Sequence, residues 1–147
     1  MTILSVERIC LGATAVDKAD AIRQAGQLLV SSGCVQAAYV DGMLAREETM
    51  STYLGNGVSI PHGQFDNRAD ILQTGISVLQ VPAGVEWEDG EKAYLVIGIA
   101  ASSDEHVGVL ANLAEVIEDE DMTQALIQTS DPQLILTQLG ATRAEVD

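Results

Sequence analysis

Hydrophobic positions along this chain follow two periods, and the switches between them divide it into strands and helices. Val6-Glu7-Arg8-Ile9-Cys10-Leu11 alternates and ends at Gly12, which predicts a short edge strand. From Lys18 to about Ser32, Ile22, Ala25, Leu28 and Leu29 recur at helical spacing, with Asp17 as N-cap and Gly33 as the stop. A second helix is predicted from about Gln36 to Met50, with Tyr39, Val40, Met43 and Leu44 on one face. Gly42 in its middle weakens the propensity but permits close packing. Gly55-Asn56-Gly57 is a turn signal, because both residue types accept positive φ at little steric cost. Val58-Ser59-Ile60 then alternates as a short strand. Pro61, with no N–H to donate, should end it and deliver His62 at the strand end.

Residues 64–72 are polar and loop-like, and Gly75 to Val81 is a strand halted by Pro82. Pro82 to Lys92, rich in acids and containing Trp87, is expected to be an exposed hairpin or connection. Ala93 to Ala101 is a continuous apolar strand of the kind buried on both faces of a sheet. Ser102 to about Asp119 follows as a helix, with Ser102 and Glu105 spaced as a capping box. Met122 to Gln128 and Pro132 to Leu139 are two further short helices, the second capped by Asp131 with Pro132 at its first position. The fold class is α/β, a single domain over residues 1–147 with a mixed sheet of about five strands and helices on both faces.

Composition narrows the function classes. Net charge is −15, from 22 acidic against 7 basic side chains, which argues against nucleic acid and against anionic membrane surfaces. The acidity suits either a basic partner face or simple solubility. The longest apolar run, Tyr94 to Ala101, is interrupted by Gly98 and is far too short to span a membrane. No basic stretch followed by an apolar run opens the chain, so a cytoplasmic location is expected. Cys10 and Cys34 are too few and too unpatterned for a disulfide framework or a zinc site, and read as small buried hydrophobes.

The candidate chemistry lies in the two histidines. His62 alone is more often a solvated or locally hydrogen-bonded turn residue than a functional one. His106, however, sits one turn into the helix that follows the central strand. Unpaired N–H groups at such a helix start carry about half a positive charge and form an anion site. The same potential disfavours imidazolium, leaving His106 neutral and able to donate one defined hydrogen bond. If both strands end at one edge of the sheet, the two imidazoles can face each other there. This arrangement suits phosphoryl transfer: an unperturbed imidazole titrates near about 6.5, so a ring nitrogen has a lone pair near neutrality. The protein's task is then to position donors for the phosphoryl oxygens. Arg46 is the candidate cation, since its helix leads toward the His62 loop; a surface ion pair with Glu47, Glu48 or another acid is the equal alternative. No magnesium-binding carboxylate motif or nucleotide loop is present, and two histidines without a third ligand make a weak metal site, so no cofactor is expected.

Leu54-Gly55-Asn56-Gly57-Val58-Ser59-Ile60-Pro61-His62-Gly63 resembles the phosphorylation-site signature of the mannitol/fructose-type enzyme IIA domains of the bacterial phosphoenolpyruvate-dependent sugar phosphotransferase system. Leu95 to Ala101 leading into Glu105-His106 and Leu113, and Tyr39-Val40 through Met43-Leu44 to Arg46-Glu47, are two further blocks of the resemblance, which runs from about Glu7 to Leu139. It implies that His62 accepts a phosphoryl group from the phosphocarrier protein HPr and passes it to a cysteine on a IIB domain of a membrane permease. It implies too that His106 orients that group and that Arg46 contacts it. The Glu105-His106 pair looks closest to the mannitol branch, whereas Gln64 and Asn56, taken as lying beside the site, depart from the usual pattern. With no permease segment and no IIB cysteine motif, the chain is expected to work in trans as a free-standing IIA protein. A regulatory phosphoprotein of the same type, controlling a partner rather than transport, is the alternative.

Overall fold

Alternation along two long strands decides how the molecule is layered. The structure is a computed structural model that describes residues 3–88, 90–101 and 103–140, without the side chains of residues 65 and 103–107. In chain order its elements are β1 (Ile9–Cys10), α1 (Lys18–Ser31), α2 (Ala38–Thr49), β2 (Tyr53–Gly55), β3 (Val58–Ser59), β4 (Gly75–Glu88), β5 (Glu91–Ala100), α3 (Ser103–Glu118), α4 (Glu120–Gln128) and α5 (Pro132–Leu139). The five strands form one sheet in the order β1-β4-β5-β3-β2. β1 pairs parallel with β4, β4 antiparallel with β5, β5 parallel with β3, and β3 antiparallel with β2. The expected mixed sheet is therefore present, with β1 at its edge.

Because successive strand side chains face opposite ways, β5 feeds two cores. Leu95, Ile97 and Ile99, with Ile76 and Val78 of β4, pack under Val109, Leu113 and Ile117 of α3, Leu126 of α4, and Ile135 and Leu139 of α5. Val96 and Ala100, with Leu79 and Val81, pack on the other face under Ile22, Ala25 and Leu29 of α1 and Tyr39 and Met43 of α2. A strand covered on both sides has no polar face to show. Its uninterrupted apolar run follows from that.

Capping chemistry matches the sequence at the two expected aspartates, Asp17 and Asp131, and Asp119 adds a third cap that was not expected. Asp17 accepts from the Asp20 N–H at 2.8 Å, Asp119 from Met122 at 3.1 Å and Asp131 from Gln133 at 2.9 Å. The capping box expected on Ser102 and Glu105 lies outside the described residues.

Three expectations need correction. β4 does not stop at Pro82 but runs on to Glu88; the stretch from Pro82 to Lys92 does make the expected hairpin with β5, but it is mostly strand and not wholly exposed, with Val85 and Trp87 buried. The pairing register with β5 shifts between Gln80 and Val85, and that irregularity accommodates a proline that cannot donate to the ladder. Residues 65–70, expected as loop, form a short 3₁₀ helix capped reciprocally by Gln64 and Asn67. Finally, the 6–11 strand is shortened to Ile9–Cys10 behind a 3₁₀ turn at Val6–Arg8, because the Arg8 guanidinium turns inward to the Ile76 and Ile3 carbonyls, both at 3.1 Å.

One buried carboxylate joins three elements and the segment that leads into β2. Glu47, 5% exposed near the end of α2, accepts from the Thr52 N–H at 3.0 Å, the Thr52 hydroxyl and the Trp87 indole N–H at 3.0 Å. Lys18 of α1 lies 3.7 Å from it, but that side chain is 36% exposed, so the ion pair adds little beside the hydrogen bonds. Glu47→Ala would leave two buried N–H donors without an acceptor and should cost about 3 kcal/mol. Urea unfolding followed by Trp87 fluorescence checks this, and an unchanged midpoint would remove Glu47 from the framework.

Candidate functional site

The turn that leads into the site is set by two residues. Asn56 and Gly57, at φ 52° and 81°, form the two-residue loop of the β2–β3 hairpin, the positive-φ geometry that Asn-Gly favours. β3 then runs parallel to β5, with Val58 opposite Leu95 and Ser59 opposite Val96. Beyond the strand proper, His62 still forms a bridge with Ile99. β5 ends at Ala100 and α3 begins at Ser103. The His62 backbone therefore reaches the same end of the sheet as the start of α3, which is the condition the sequence left open. His106 falls in the first turn of α3, and its side chain lies outside the described residues.

His62 is half-buried, and its Nδ1 lies 2.8 Å from the Ile60 carbonyl oxygen. A carbonyl only accepts, so in the neutral ring the proton sits on Nδ1 and the in-plane lone pair on Nε2. Which ring nitrogen carries the proton is thereby selected by a backbone atom two residues away.

The His62 corner rests on α2. The Tyr39 hydroxyl accepts from the Gly63 N–H at 2.9 Å and donates to the Ile99 carbonyl at 2.8 Å. A Cβ on residue 63 would stand 2.6 Å from Tyr39 Cε1, so only glycine lets the corner lie this close to the ring. One turn along, Gly42 meets the Asn67 side chain with the same intimacy, and Asn67 Oδ1 accepts from the Gln64 N–H at 2.8 Å. In the sequence Tyr39 shows only as part of an apolar helix face and of one block of the family resemblance, and nothing marks Asn67. A tyrosine on a buried helix face needs a partner for its hydroxyl, and that was the available signal for Tyr39.

Arg46 is half-buried, and its Nη1 donates to the Met50 carbonyl at 2.7 Å, closing the end of α2. Among the described residues the ion pair next to it is made by Glu47 with Lys18. Gln64 does lie beside the site, two residues on from His62. Asn56 does not. It sits in the hairpin turn before β3, about 13 Å of extended chain (Val58 to Pro61) from His62, and its Nδ2 donates to the Ile117 carbonyl near the other end of α3. Sequence proximity misleads here because a strand separates its neighbours quickly. Among the described residues no three His, Cys, Asp or Glu side chains converge to hold a metal, and no helix is long and apolar enough to cross a membrane.

The Tyr39 hydroxyl is held above its ordinary value of 10.0, chiefly because burial disfavours phenolate, with the Gly63 N–H pulling the other way. A raised value means that the neutral phenol is the form the fold stabilises. That contribution is complete below about pH 10 and is lost as pH rises through the folded value. Alkaline unfolding should therefore begin above about pH 10, and Tyr39→Phe should flatten this part of the stability profile.

Comparison with known proteins agrees with this geometry. Residues 2–141 match the family described as "Phosphoenolpyruvate-dependent sugar phosphotransferase system, EIIA 2". The chain is 53% identical over 123 residues, or 84% of its length, to a multiphosphoryl transfer protein of Escherichia coli, of whose length it spans 33%. It is 39% identical to the mannitol-specific phosphotransferase enzyme IIA component of Bacillus subtilis, over 90% of this chain and 93% of that one. Its fold superposes with a TM-score of 0.89 and 38% identity on a chain in the solution structure of the complex of mannitol enzyme IIA with phosphorylated enzyme IIB from Escherichia coli, covering 94% and 97% of the two chains. The chain thus belongs to the EIIA 2 family of the phosphoenolpyruvate-dependent sugar phosphotransferase system.

Proposed function

We propose that this chain is a cytoplasmic phosphoryl carrier that takes a phosphoryl group from phosphorylated HPr onto His62 Nε2 and passes it to a cysteine of a IIB domain during mannitol uptake. The observation that carries the reading is the His62 tautomer, fixed by the 2.8 Å contact of Nδ1 with the Ile60 carbonyl, which puts the lone pair at Nε2. In the first step the Nε2 lone pair forms a bond to phosphorus as the donor's nitrogen–phosphorus bond breaks. In the second, the thiolate of the IIB cysteine attacks phosphorus and the His62 nitrogen–phosphorus bond breaks. Neither step needs a metal or a nucleotide.

The transferring group spreads negative charge over three oxygens, so donors must already stand around it. The start of α3 supplies backbone N–H groups at the same sheet end as His62, and His106 in its first turn is the side-chain donor of this reading. Arg46 shares the helical stripe of Tyr39 and Gly42, at spacings of three and four residues; Tyr39 touches the His62 corner and Gly42 the turn that follows it. A phosphoryl group at Nε2 would draw the guanidinium from the Met50 carbonyl. A net charge of −15 favours approach of a basic docking face on the donor. The mannitol IIA–IIB complex on which the fold superposes supports a IIB acceptor and a hexitol as the sugar.

Incubation with phosphoenolpyruvate, enzyme I and HPr should give one acid-labile phosphoryl group per chain. His62→Ala should abolish labelling, and full labelling of that variant would reject the assignment. His106→Ala and Arg46→Ala should keep the fold and slow transfer roughly 10²-fold, the scale of removing one preorganised donor; wild-type rates would take either residue out of the site. Transfer from the labelled protein to IIB domains of different sugar specificity tests the sugar: labelling without transfer to the mannitol IIB domain would keep the carrier and discard mannitol.

A further inference from the structure

We propose that Tyr39 is a positioning residue for phosphoryl transfer, its hydroxyl inserted into the hydrogen-bond ladder between the His62 corner and β5. The inference rests on His62 being the phosphoryl acceptor.

In a parallel pair, the residue facing its partner across the bridge is flanked by two ladder bonds. For His62 opposite Ile99, the first is present: the Ile99 N–H donates to the Pro61 carbonyl at 3.0 Å. The second belongs between the Gly63 N–H and the Ile99 carbonyl. The Tyr39 hydroxyl occupies that place, accepting from Gly63 at 2.9 Å and donating to Ile99 at 2.8 Å. Both neighbours of His62 are thus tied to one residue of the central strand, one directly and one through a phenol.

The direction of each bond is forced. A carbonyl cannot donate and an amide N–H cannot accept, so the single phenolic proton must point to Ile99 and a lone pair to Gly63. The ring is 3% exposed, which leaves little room for water to replace either bond. Insertion of an oxygen where a direct bond belongs spreads the strands at this point while leaving neither polar group unsatisfied. The chain can then turn from the sheet immediately after His62, carrying the imidazole out at the strand end. Tyr39→Phe keeps the ring but withdraws the oxygen. The corner must then either close onto Ile99 or leave two polar groups unmatched, and both outcomes move the imidazole.

The test is Tyr39→Phe in single-turnover phosphorylation by phosphorylated HPr. The expected result is a rate at saturating donor slowed roughly ten-fold, with the half-saturating donor concentration unchanged and cooperative unfolding kept. The ¹⁵N resonances of the His62 ring should shift in the same variant, reporting a changed Nδ1 contact. A wild-type rate at saturation, or a loss confined to half-saturation, would overturn the proposal. The unsubstituted protein gives an independent check: its Gly63 amide should exchange slowly with solvent, and fast exchange would overturn the proposal even if the variant failed to fold. Labelling of a residue other than His62 in the unsubstituted protein would instead defeat the carrier assignment itself.

Discussion

Everything at the site depends on the parallel pairing of the β3 segment with β5. Register within that pairing is not free. Val58 and Ile60 face one core, and a slip of one residue would send them to the other face of the sheet and reverse the direction of His62. Burying these apolar side chains at roughly 1.5–3 kcal/mol each holds the register. The held register puts His62 opposite Ile99, close before β5 hands over to α3. A helix start and the His62 corner are brought to one end of the sheet by the packing of aliphatic side chains.

α2 supplies the other support, and it links stability to chemistry. Its core side inserts Met43 among the residues under α1, and Glu47 near its end gathers Thr52 and Trp87. Its remaining stripe, Tyr39 and Gly42, bears on the His62 corner and on the turn that follows it. The helix cannot shift against the site without breaking buried hydrogen bonds at the other side. A side chain on such a mounting is already organised before anything binds to it.

The far end of the hairpin is built for a different purpose. Asn56 anchors the turn to α3 through the Ile117 carbonyl, and the Tyr94 ring lies across Gly57. These contacts fix the start of β3 as firmly as Ile99 fixes its end. The strand is thereby clamped at both ends. His62 inherits its position from that clamp and its tautomer from the Ile60 carbonyl.

The sequence by itself determined the elements whose signals are local. Caps at Asp17 and Asp131, the Asn56-Gly57 turn, the doubly buried strand before α3 and the Pro61-His62 corner each depend on residues within a few positions of one another. The family signature around His62 is local in the same sense. The continuation of β4 through Pro82 was not legible, because only the neighbouring strand can absorb a missing donor by shifting register. Nor were the roles of Tyr39, Glu47 and Asn67, whose hydrogen-bond partners or close neighbours come from elements far away in the chain. Asn56 shows the converse, a near neighbour in sequence removed to the opposite end of the sheet by extended geometry. Periodicity and capping act over a turn or a strand, whereas polar partners inside a core are chosen by whichever backbone the packing brings within about 3 Å.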